Sequence, residues 1–215
     1  MPARASEAII LRSYPLREAD LIISFLTRDQ GKLRGVARRA RRPRNRFGSG
    51  LERLSYVNVF YFQRENRELV TLDSCELIRS RFDLAGDYQA AAALDYFAEV
   101  SEQLLPPAEP NERFFRLLLA VADHLSDRGS SGLWAAVTYF TLWAVRLSGI
   151  LPALALGEED QAIAEEMLRT PIGRLTPRAW TGQTAAGLRR ALLRIIEEHI
   201  ERKLVTPQFL HSLQT

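Results

Sequence analysis

The sequence contains very little cysteine and histidine, and this shortage excludes several classes of protein. Cys75 is the single cysteine among 215 residues, so the chain forms no internal disulfide framework and no zinc site that needs two or more thiolates. His124 and His199 fall at helical positions typical of half-buried residues rather than metal ligands, and His211 lies in the tail. A lone cysteine fits a reducing compartment, and we predict a cytoplasmic protein.

Long apolar stretches are also scarce. The N-terminus, MPARASEAII, has an early arginine, an acid at Glu7 and no long apolar region, so it lacks the pattern of a signal peptide. Residues 132–151 have nearly the length of a membrane span, but they include Arg146 and no basic cluster flanks them. We predict a buried helix there and no membrane partner, in agreement with a mean hydropathy of −0.14.

Motifs of well-known catalytic sites are missing: the sequence has no HExxH, no GxSxG and no GxxxxGK[ST]. The acidic pairs Glu165–Glu166 and Glu197–Glu198 are adjacent in predicted helices, so their side chains diverge by about 100° and do not share a site. We predict that the protein is not an enzyme and that it uses no cofactor and no metal. A hydrolase or nuclease is the alternative, which metal-dependent cleavage would support.

Basic residues are concentrated in the first part of the chain. Residues 1–81 carry 17 Lys and Arg against 9 Asp and Glu, whereas residues 82–215 carry 12 against 17, so the net charges are +8 and −5. Between Arg28 and Arg53 there are ten basic residues, nine of them arginine, and two acids. Guanidinium groups match phosphate oxygens and stack on bases, so we predict nucleic-acid binding. A solvated basic loop, or an acidic protein or membrane as the partner, are the alternatives.

The pattern of apolar residues changes near residue 80. Before it, five short runs rich in β-branched and aromatic residues predict strands at 8–14, 21–27, 32–39, 54–62 and 69–77. After it, helical spacing predicts six helices. The first covers 91–105, the second begins after Asn111 as its cap, and the third, at 133–150, is the central helix. The others are at 161–168, at 184–203 and after Pro207. We therefore predict an α+β protein with a small five-stranded barrel at residues 1–80 and an all-α domain at residues 81–215.

The third predicted strand places basic and apolar side chains on opposite faces. A period of two puts Lys32, Arg34 and Arg38 on one face and small or apolar residues on the other, with about 6.6 Å between neighbours on a face. An arginine-rich loop follows the strand and is too charged to pack in a core. The predicted nucleic-acid contacts are the basic residues of the strand and the loop: Lys32, Arg34, Arg38, Arg39, Arg41, Arg42, Arg44 and Arg46.

Aromatic residues near this region are candidates for stacking on bases. Phe47 ends the arginine-rich loop, and we predict that it contacts a base. Tyr56, Phe60 and Phe62 share one strand parity, whereas Val57, Val59 and Tyr61 share the other, and parity alone does not say which set is the core. We expect most of these aromatic residues in the barrel core. Cys75 is predicted to be a small packing residue with no group beside it to activate the thiol.

Residues 8–52, AIILRSYPLREADLIISFLTRDQGKLRGVARRARRPRNRFGSGLE, resemble the N-terminal domain of the RecO family of bacterial DNA repair proteins. They follow its pattern LR…Y.E.D.I…LT…GK…VA.GAR…S.FG..L.P. Later segments, NERFFRLLLAVADHL and FTLWAVRLSGILPAL, resemble the helical domain of that family.

The resemblance implies an OB-fold followed by a helical domain. It also implies DNA binding, annealing of single strands, and loading of recombinase onto protein-coated single-stranded DNA together with RecR. Two features depart from the family: the four-cysteine zinc module of many members is absent, and Arg39 replaces a small residue. The alternative function is a protein-interaction adaptor whose basic segment binds an acidic partner.

The resemblance further implies that the helical domain binds the C-terminal peptide of the single-stranded DNA-binding protein. That peptide is acidic and ends in an aromatic residue, so its receptor needs an apolar pocket beside a cation. Candidate cations near apolar helical faces are Arg113, Arg116, Arg189, Arg190 and Arg194. The alternative is that these arginines are solvated or paired with nearby acids such as Glu112 and Glu197.

Overall fold

The computed structural model describes residues 3–63, 68–84 and 86–212. The chain forms two compact units, residues 1–82 with 105–115, and residues 83–104 with 116–215. The stretch 105–115, expected in the helical domain, therefore groups with the barrel. The Ala108 N–H donates to the Lys32 carbonyl at 2.9 Å, and Gly31 allows this approach because a Cβ there would lie 2.1 Å from the Glu109 carbonyl oxygen.

Five strands make up the first unit, as predicted. They are β1 (Ala3–Leu16), β2 (Asp20–Thr27), β3 (Gly31–Ala37), β4 (Tyr56–Phe62) and β5 (Leu69–Arg79). The strands form a closed barrel in the order β1-β2-β3-β5-β4; β3 pairs with β5 in parallel, and the other pairs are antiparallel. β1 is long enough to pair with β4 along its first half and with β2 along its second, and its register shifts between Ile10 and Arg12. This shift bends β1 where it changes partner.

Alternating residues of the strands fill the barrel. Phe25 and Tyr61 meet edge to face at its centre, with ring centroids 6.2 Å apart. One residue from outside the strands, Phe47, also belongs to this core. The buried set is Ala8, Ile10, Ile23, Phe25, Leu33, Ala37, Phe47, Val57, Val59, Tyr61, Val70 and Leu72.

The expectation that most of Tyr56, Phe60 and Phe62 lie in the barrel core is wrong. All three are half-buried on the outer side of β4, because the opposite parity of that strand fills the barrel. Tyr56 packs edge to face on Phe115, with centroids 6.0 Å apart. Tyr56 thus helps to hold the start of the helix Glu112–Arg128 against the outside of the barrel.

Six helices follow the barrel strands in the described chain. They are α1 (Tyr88–Leu104), α2 (Glu112–Arg128), α3 (Leu133–Leu147), α4 (Glu158–Arg169), α5 (Ala186–His199) and α6 (Thr206–Ser212). The Asn111 side chain accepts the Phe114 N–H at 3.0 Å and caps α2, as predicted. α3 is the central helix of the second unit and packs against α1, α4 and α5. Of the helices in the described ranges, none combines the length and apolarity needed to cross a bilayer.

A buried carboxylate fixes the start of α6. Glu99 of α1 is 7% exposed and accepts the N–H groups of Val205 and Thr206 at 2.9 and 2.8 Å. It also accepts the Thr206 hydroxyl at 2.6 Å. The prediction placed Pro207 before this helix, but Pro207 lies within the first turn of α6. A proline is tolerated there because an N–H in the first turn has no partner within the helix.

Candidate nucleic-acid interface

β3 separates basic from apolar side chains as its sequence predicts. Arg34 and Arg38 are exposed, Lys32 is half-buried, and the alternating residues Leu33 and Gly35 are buried. A Cβ at Gly35 would lie 2.7 Å from a methyl group of Val70, so glycine allows β3 and β5 to pack closely inside the barrel. The basic side chains of β3 consequently lie on the outer surface.

The arginine-rich segment (residues 39–46) leaves β3 and is tied to the turn between β1 and β2. The Arg39 N–H donates to the Asp20 carboxylate at 2.8 Å, and the Arg41 N–H donates to the Ala19 carbonyl at 3.1 Å. Arg39 and Arg44 have left-handed backbones, with φ of 55° and 58°. These contacts fix the backbone at the start of the segment while all of its arginine side chains stay exposed.

Phe47 fixes the other end of the segment. The Asn45 side-chain oxygen accepts the N–H groups of Phe47 and Gly48 at 2.8 and 3.0 Å. The Phe47 ring enters the barrel core and is 5% exposed. The Cys75 thiol donates to the Phe47 carbonyl at 3.4 Å, and burial raises the pKa of that thiol to about 11, so Cys75 is an unreactive packing group.

The prediction that Phe47 contacts a base is therefore wrong. A ring enclosed by barrel side chains has no free face on which a base can stack. The Asn45 side chain, which accepts the N–H groups of Phe47 and Gly48, turns the chain toward the barrel immediately after Arg46. Strand and loop patterns in the sequence do not predict this turn.

Most guanidinium groups of the segment are available to a ligand. Arg46 pairs with Asp73 at 2.9 Å, and Arg41 donates to the Glu18 carbonyl at 3.4 Å. Of the six basic residues from Arg38 to Arg46, four have no side-chain hydrogen bond or ion pair with any residue that the structure describes: Arg38, Arg39, Arg42 and Arg44.

Arg12 of β1 lies near Arg34 on the outside of the barrel, and no sequence pattern predicted it as a site residue. Arg12 and Arg34 both face Ser24 across the β1–β2 and β2–β3 ladders. Their guanidinium carbons lie 5.7 and 5.4 Å from the centre of the Tyr14 ring. The two arginines thus flank one half-buried tyrosine.

Arg53 adds to this concentration of positive charge. Partial burial and the nearby Arg12 guanidinium lower the pKa of Arg53, which indicates that positive charges crowd one another there. We call the set Arg12, Tyr14, Arg34, Arg38 and Arg53 the barrel basic face. The shared parity of Arg12 and Tyr14 in β1 was visible in the sequence, but their proximity to Arg34 depends on the strand register.

The candidate arginines on the helices differ in their surroundings. Arg113 and Arg116 are exposed on α2, and the aromatic residues between them, Phe114 and Phe115, are fully buried. These two rings therefore offer no exposed apolar surface. Glu112 lies 3.8 Å from Arg28, so it pairs with the barrel cation rather than with the α2 arginines.

Arg189 has a structural role. Its guanidinium donates to the Thr138 hydroxyl at 3.0 Å and to the carbonyls of Thr184 and Gly182. It also lies over the Trp134 ring, 4.7 Å from the centroid. Burial lowers the pKa of Arg189 to about 10, so the group remains charged at neutral pH.

Arg190 and Arg194 are exposed on α5. Glu197, a proposed partner for such arginines, instead pairs with Lys203. Arg190 lies at the edge of an apolar recess between α1, α3, α5 and α6. That recess is lined by Tyr96, Trp134, Val137, Thr141, Ala186, Arg189, Arg190, Leu193, Pro207 and Leu210.

No group of three or more histidine, cysteine, aspartate or glutamate side chains that could hold a metal ion is found in the described part of the chain. His124 is half-buried, as expected, whereas His199 is exposed at the end of α5. The side chain of His211 lies outside the described residues.

A closed barrel with the strand order β1-β2-β3-β5-β4 and a following helical unit defines an OB-fold protein with a helical domain. Comparison with protein families then shows the family to which the chain belongs. The family model Recombination protein O N terminal matches residues 1–81, and Recombination protein O C terminal matches residues 85–157. The chain belongs to the RecO family, which places it among DNA repair proteins.

Individual relatives agree. The DNA repair protein RecO of Koribacter versatilis (strain Ellin345) is 41% identical over 244 aligned residues, which cover 98% of this chain and 99% of the relative. RecO of Symbiobacterium thermophilum is 30% identical over 251 residues, with 97% of each chain covered. RecO of Anaeromyxobacter sp. (strain K) is 34% identical over 146 residues, 68% of this chain and 57% of the relative. The first two alignments exceed the 215 residues of this chain, so those relatives carry inserted residues.

We expect Phe47→Ala to lower the free energy of unfolding by about 3–5 kcal/mol, because it leaves a cavity in the barrel core. Phe82→Ala is the matched control, because Phe82 is 69% exposed and its loss should change stability by less than about 1 kcal/mol. Urea denaturation of both variants gives the comparison. A Phe47→Ala protein of unchanged stability that binds single strands more weakly would restore the base-contact role.

Proposed function

We propose that the protein is a non-enzymatic recombination mediator that binds DNA through its barrel. The observation that carries this proposal is the set of exposed guanidinium groups, Arg38, Arg39, Arg42 and Arg44, that have no partner among the described residues. Exposed cations without acidic partners are favourable for phosphate binding, since no ion pair has to be broken first.

The two parts of the basic surface suit different roles in binding. Three members of the barrel basic face, Arg12, Tyr14 and Arg34, extend from paired strands, and the Tyr14 ring lies beside the two guanidinium groups. Such a face suits a single strand, whose bases can stack on aromatic and guanidinium planes. The arginine-rich segment offers phosphate contacts that need no base to be exposed.

Annealing follows from this division. Two complementary strands repel each other through their phosphates, and a surface that binds both lowers this repulsion while they pair. We propose that one strand lies on the barrel basic face and that the arginine-rich segment holds the second strand or the new duplex.

As a member of its family, the protein is further proposed to help load recombinase, together with RecR, onto single-stranded DNA coated by the single-stranded DNA-binding protein, in the cytoplasm. The alternative is an adaptor whose basic segment binds an acidic protein. Binding to bare DNA that weakens with salt supports the mediator, whereas binding to an acidic protein alone supports the adaptor.

Replacing Arg39, Arg41, Arg42, Arg44 and Arg46 by alanine should weaken DNA binding and leave the barrel folded. If these residues make about five phosphate contacts, the slope of log affinity against log salt should decrease in magnitude by roughly 3.5 to 4.5. Fluorescence anisotropy at several salt concentrations measures the slope, and urea denaturation checks the fold. The control is alanine at Arg169, Arg174 and Arg202, exposed cations of the helical unit. An unchanged slope in the five-residue variant would disprove the assignment.

We also propose that the apolar recess beside Arg190 receives the acidic C-terminal peptide of the single-stranded DNA-binding protein. The recess offers Trp134, Leu193 and Leu210 to an aromatic side chain, and Arg190 lies at its edge to meet a carboxylate. Arg113 and Arg116 lack such a recess at Phe114 and Phe115, because both rings are fully buried. The recess at Arg190 is the observation that supports α5 rather than α2 as the peptide-binding helix.

A labelled acidic peptide that ends in phenylalanine should bind the wild type. The double charge reversal Arg190→Glu with Arg194→Glu should weaken binding about tenfold, since it replaces two attractions by two repulsions. The reversal of Arg113 and Arg116 is the matched control and should bind as the wild type does. Equal losses in both variants, or no binding by the wild type, would contradict this site.

A further inference from the structure

A second recess in the helical unit has a different character. It lies between the end of α2, the start of α3 and the segment 172–180 that follows α4. Its cavity volume is about 180 Å³ and it is open to solvent, so it receives part of a small ligand rather than enclosing a whole one. Its polar and aromatic lining includes His124, Arg128, Ser131, Thr176, Arg178 and Trp180.

Two arginines from different parts of the chain line this recess. Arg128, at the end of α2, is exposed, and its guanidinium has no ion pair with any residue that the structure describes. Arg178 is held in place by Glu166, which also accepts the Thr176 N–H at 2.5 Å. Residues 82–215 carry 12 basic and 17 acidic residues. Two cations that line one recess are therefore unusual in this acidic part of the chain.

Trp180 supplies a flat apolar surface beside these charges. The Arg178 guanidinium carbon lies 5.5 Å from the centre of the Trp180 ring, so a planar cation adjoins a planar ring. Both ring and guanidinium are groups on which nucleobases stack. The recess thus combines a stacking surface with cations in its lining.

His124 contributes a neutral hydrogen-bonding group. Burial, and then the Arg128 charge, lower the pKa of His124, so the imidazole is uncharged near pH 7. Gly132 allows the close approach of the helix ends, because a Cβ there would lie 2.8 Å from the Arg128 Cβ and 3.0 Å from the His124 ring. A neutral imidazole can donate one hydrogen bond and accept another, which suits the edge of a base or a sugar hydroxyl.

We propose that this recess binds a nucleoside monophosphate unit, with the phosphate at Arg128 and the base against Trp180 and Arg178. The unit is either a free nucleotide or the 5′-phosphorylated end of a strand. All residues that line the recess belong to the second unit, and none is an arginine of the arginine-rich segment.

Isothermal titration calorimetry of the full protein with deoxyadenosine monophosphate tests the proposal. Arg128→Gln removes the phosphate-binding cation and should weaken binding about tenfold or more. Trp180→Leu should weaken it to a similar degree. Arg174→Gln is the matched control, because Arg174 is exposed on the same segment but does not line the recess. Wild-type affinity in both recess variants, or no binding by the wild type, would overturn the proposal.

Two comparisons identify the ligand. Inorganic phosphate should bind at least tenfold more weakly than the nucleotide, and equal affinity would overturn the role of Trp180. In the variant with alanine at the five segment arginines, short strands with and without a 5′-phosphate show whether a strand end can occupy the site. That variant should bind the free nucleotide as the wild type does, so failure of this site and failure of the DNA-binding proposal give different results.

Discussion

The position of the basic surface depends on one aromatic side chain inside the barrel. The arginine-rich segment carries like charges that repel each other and cannot pack in a core, so nothing within it favours a single conformation. Burial of the Phe47 ring, worth about 2–3 kcal/mol in transfer free energy, ties the end of the segment to Phe25, Tyr61 and their neighbours in the core. The backbone contacts of Arg39 and Arg41 fix its start. The segment is therefore held at both ends, and the entropy lost when it binds a ligand is smaller than for a free loop.

The helical unit is organised in a comparable way around α3. Both recesses have α3 side chains in their walls: Trp134 and Val137 in the apolar one, and Ala135 in the one with Arg128. At the apolar recess, Arg189 connects α5 to α3 through its hydrogen bond to Thr138. At the recess with Arg128, Glu166 fixes the position of Arg178 through an ion pair. Charged groups that would be costly to bury alone are thus stabilised by hydrogen bonds and, at the same time, shape the two candidate sites.

Local patterns in the sequence were sufficient to predict the strands and helices. Which side chains are buried and which basic residues become neighbours depends on long-range packing. The period of two in β3 was sufficient to place Arg34 and Arg38 outside the barrel, because small and apolar residues alternate with them. Two apolar parities in β4 made its core face ambiguous, and Phe47 follows a charged loop with no periodicity to reveal its burial. Arg12 and Arg34 are 22 positions apart and meet only through the register of β1 and β3 with β2. Cross-strand neighbours of this kind become visible once the barrel closes.

Annealing of complementary single strands tests the mediator function most directly. The account predicts that the protein speeds annealing well above the spontaneous rate at low salt. Alanine at Arg39, Arg41, Arg42, Arg44 and Arg46 should remove most of this acceleration while the unfolding free energy stays unchanged. An accelerated rate that persists in that variant, or a wild type that leaves the spontaneous rate unchanged, would contradict the central claim.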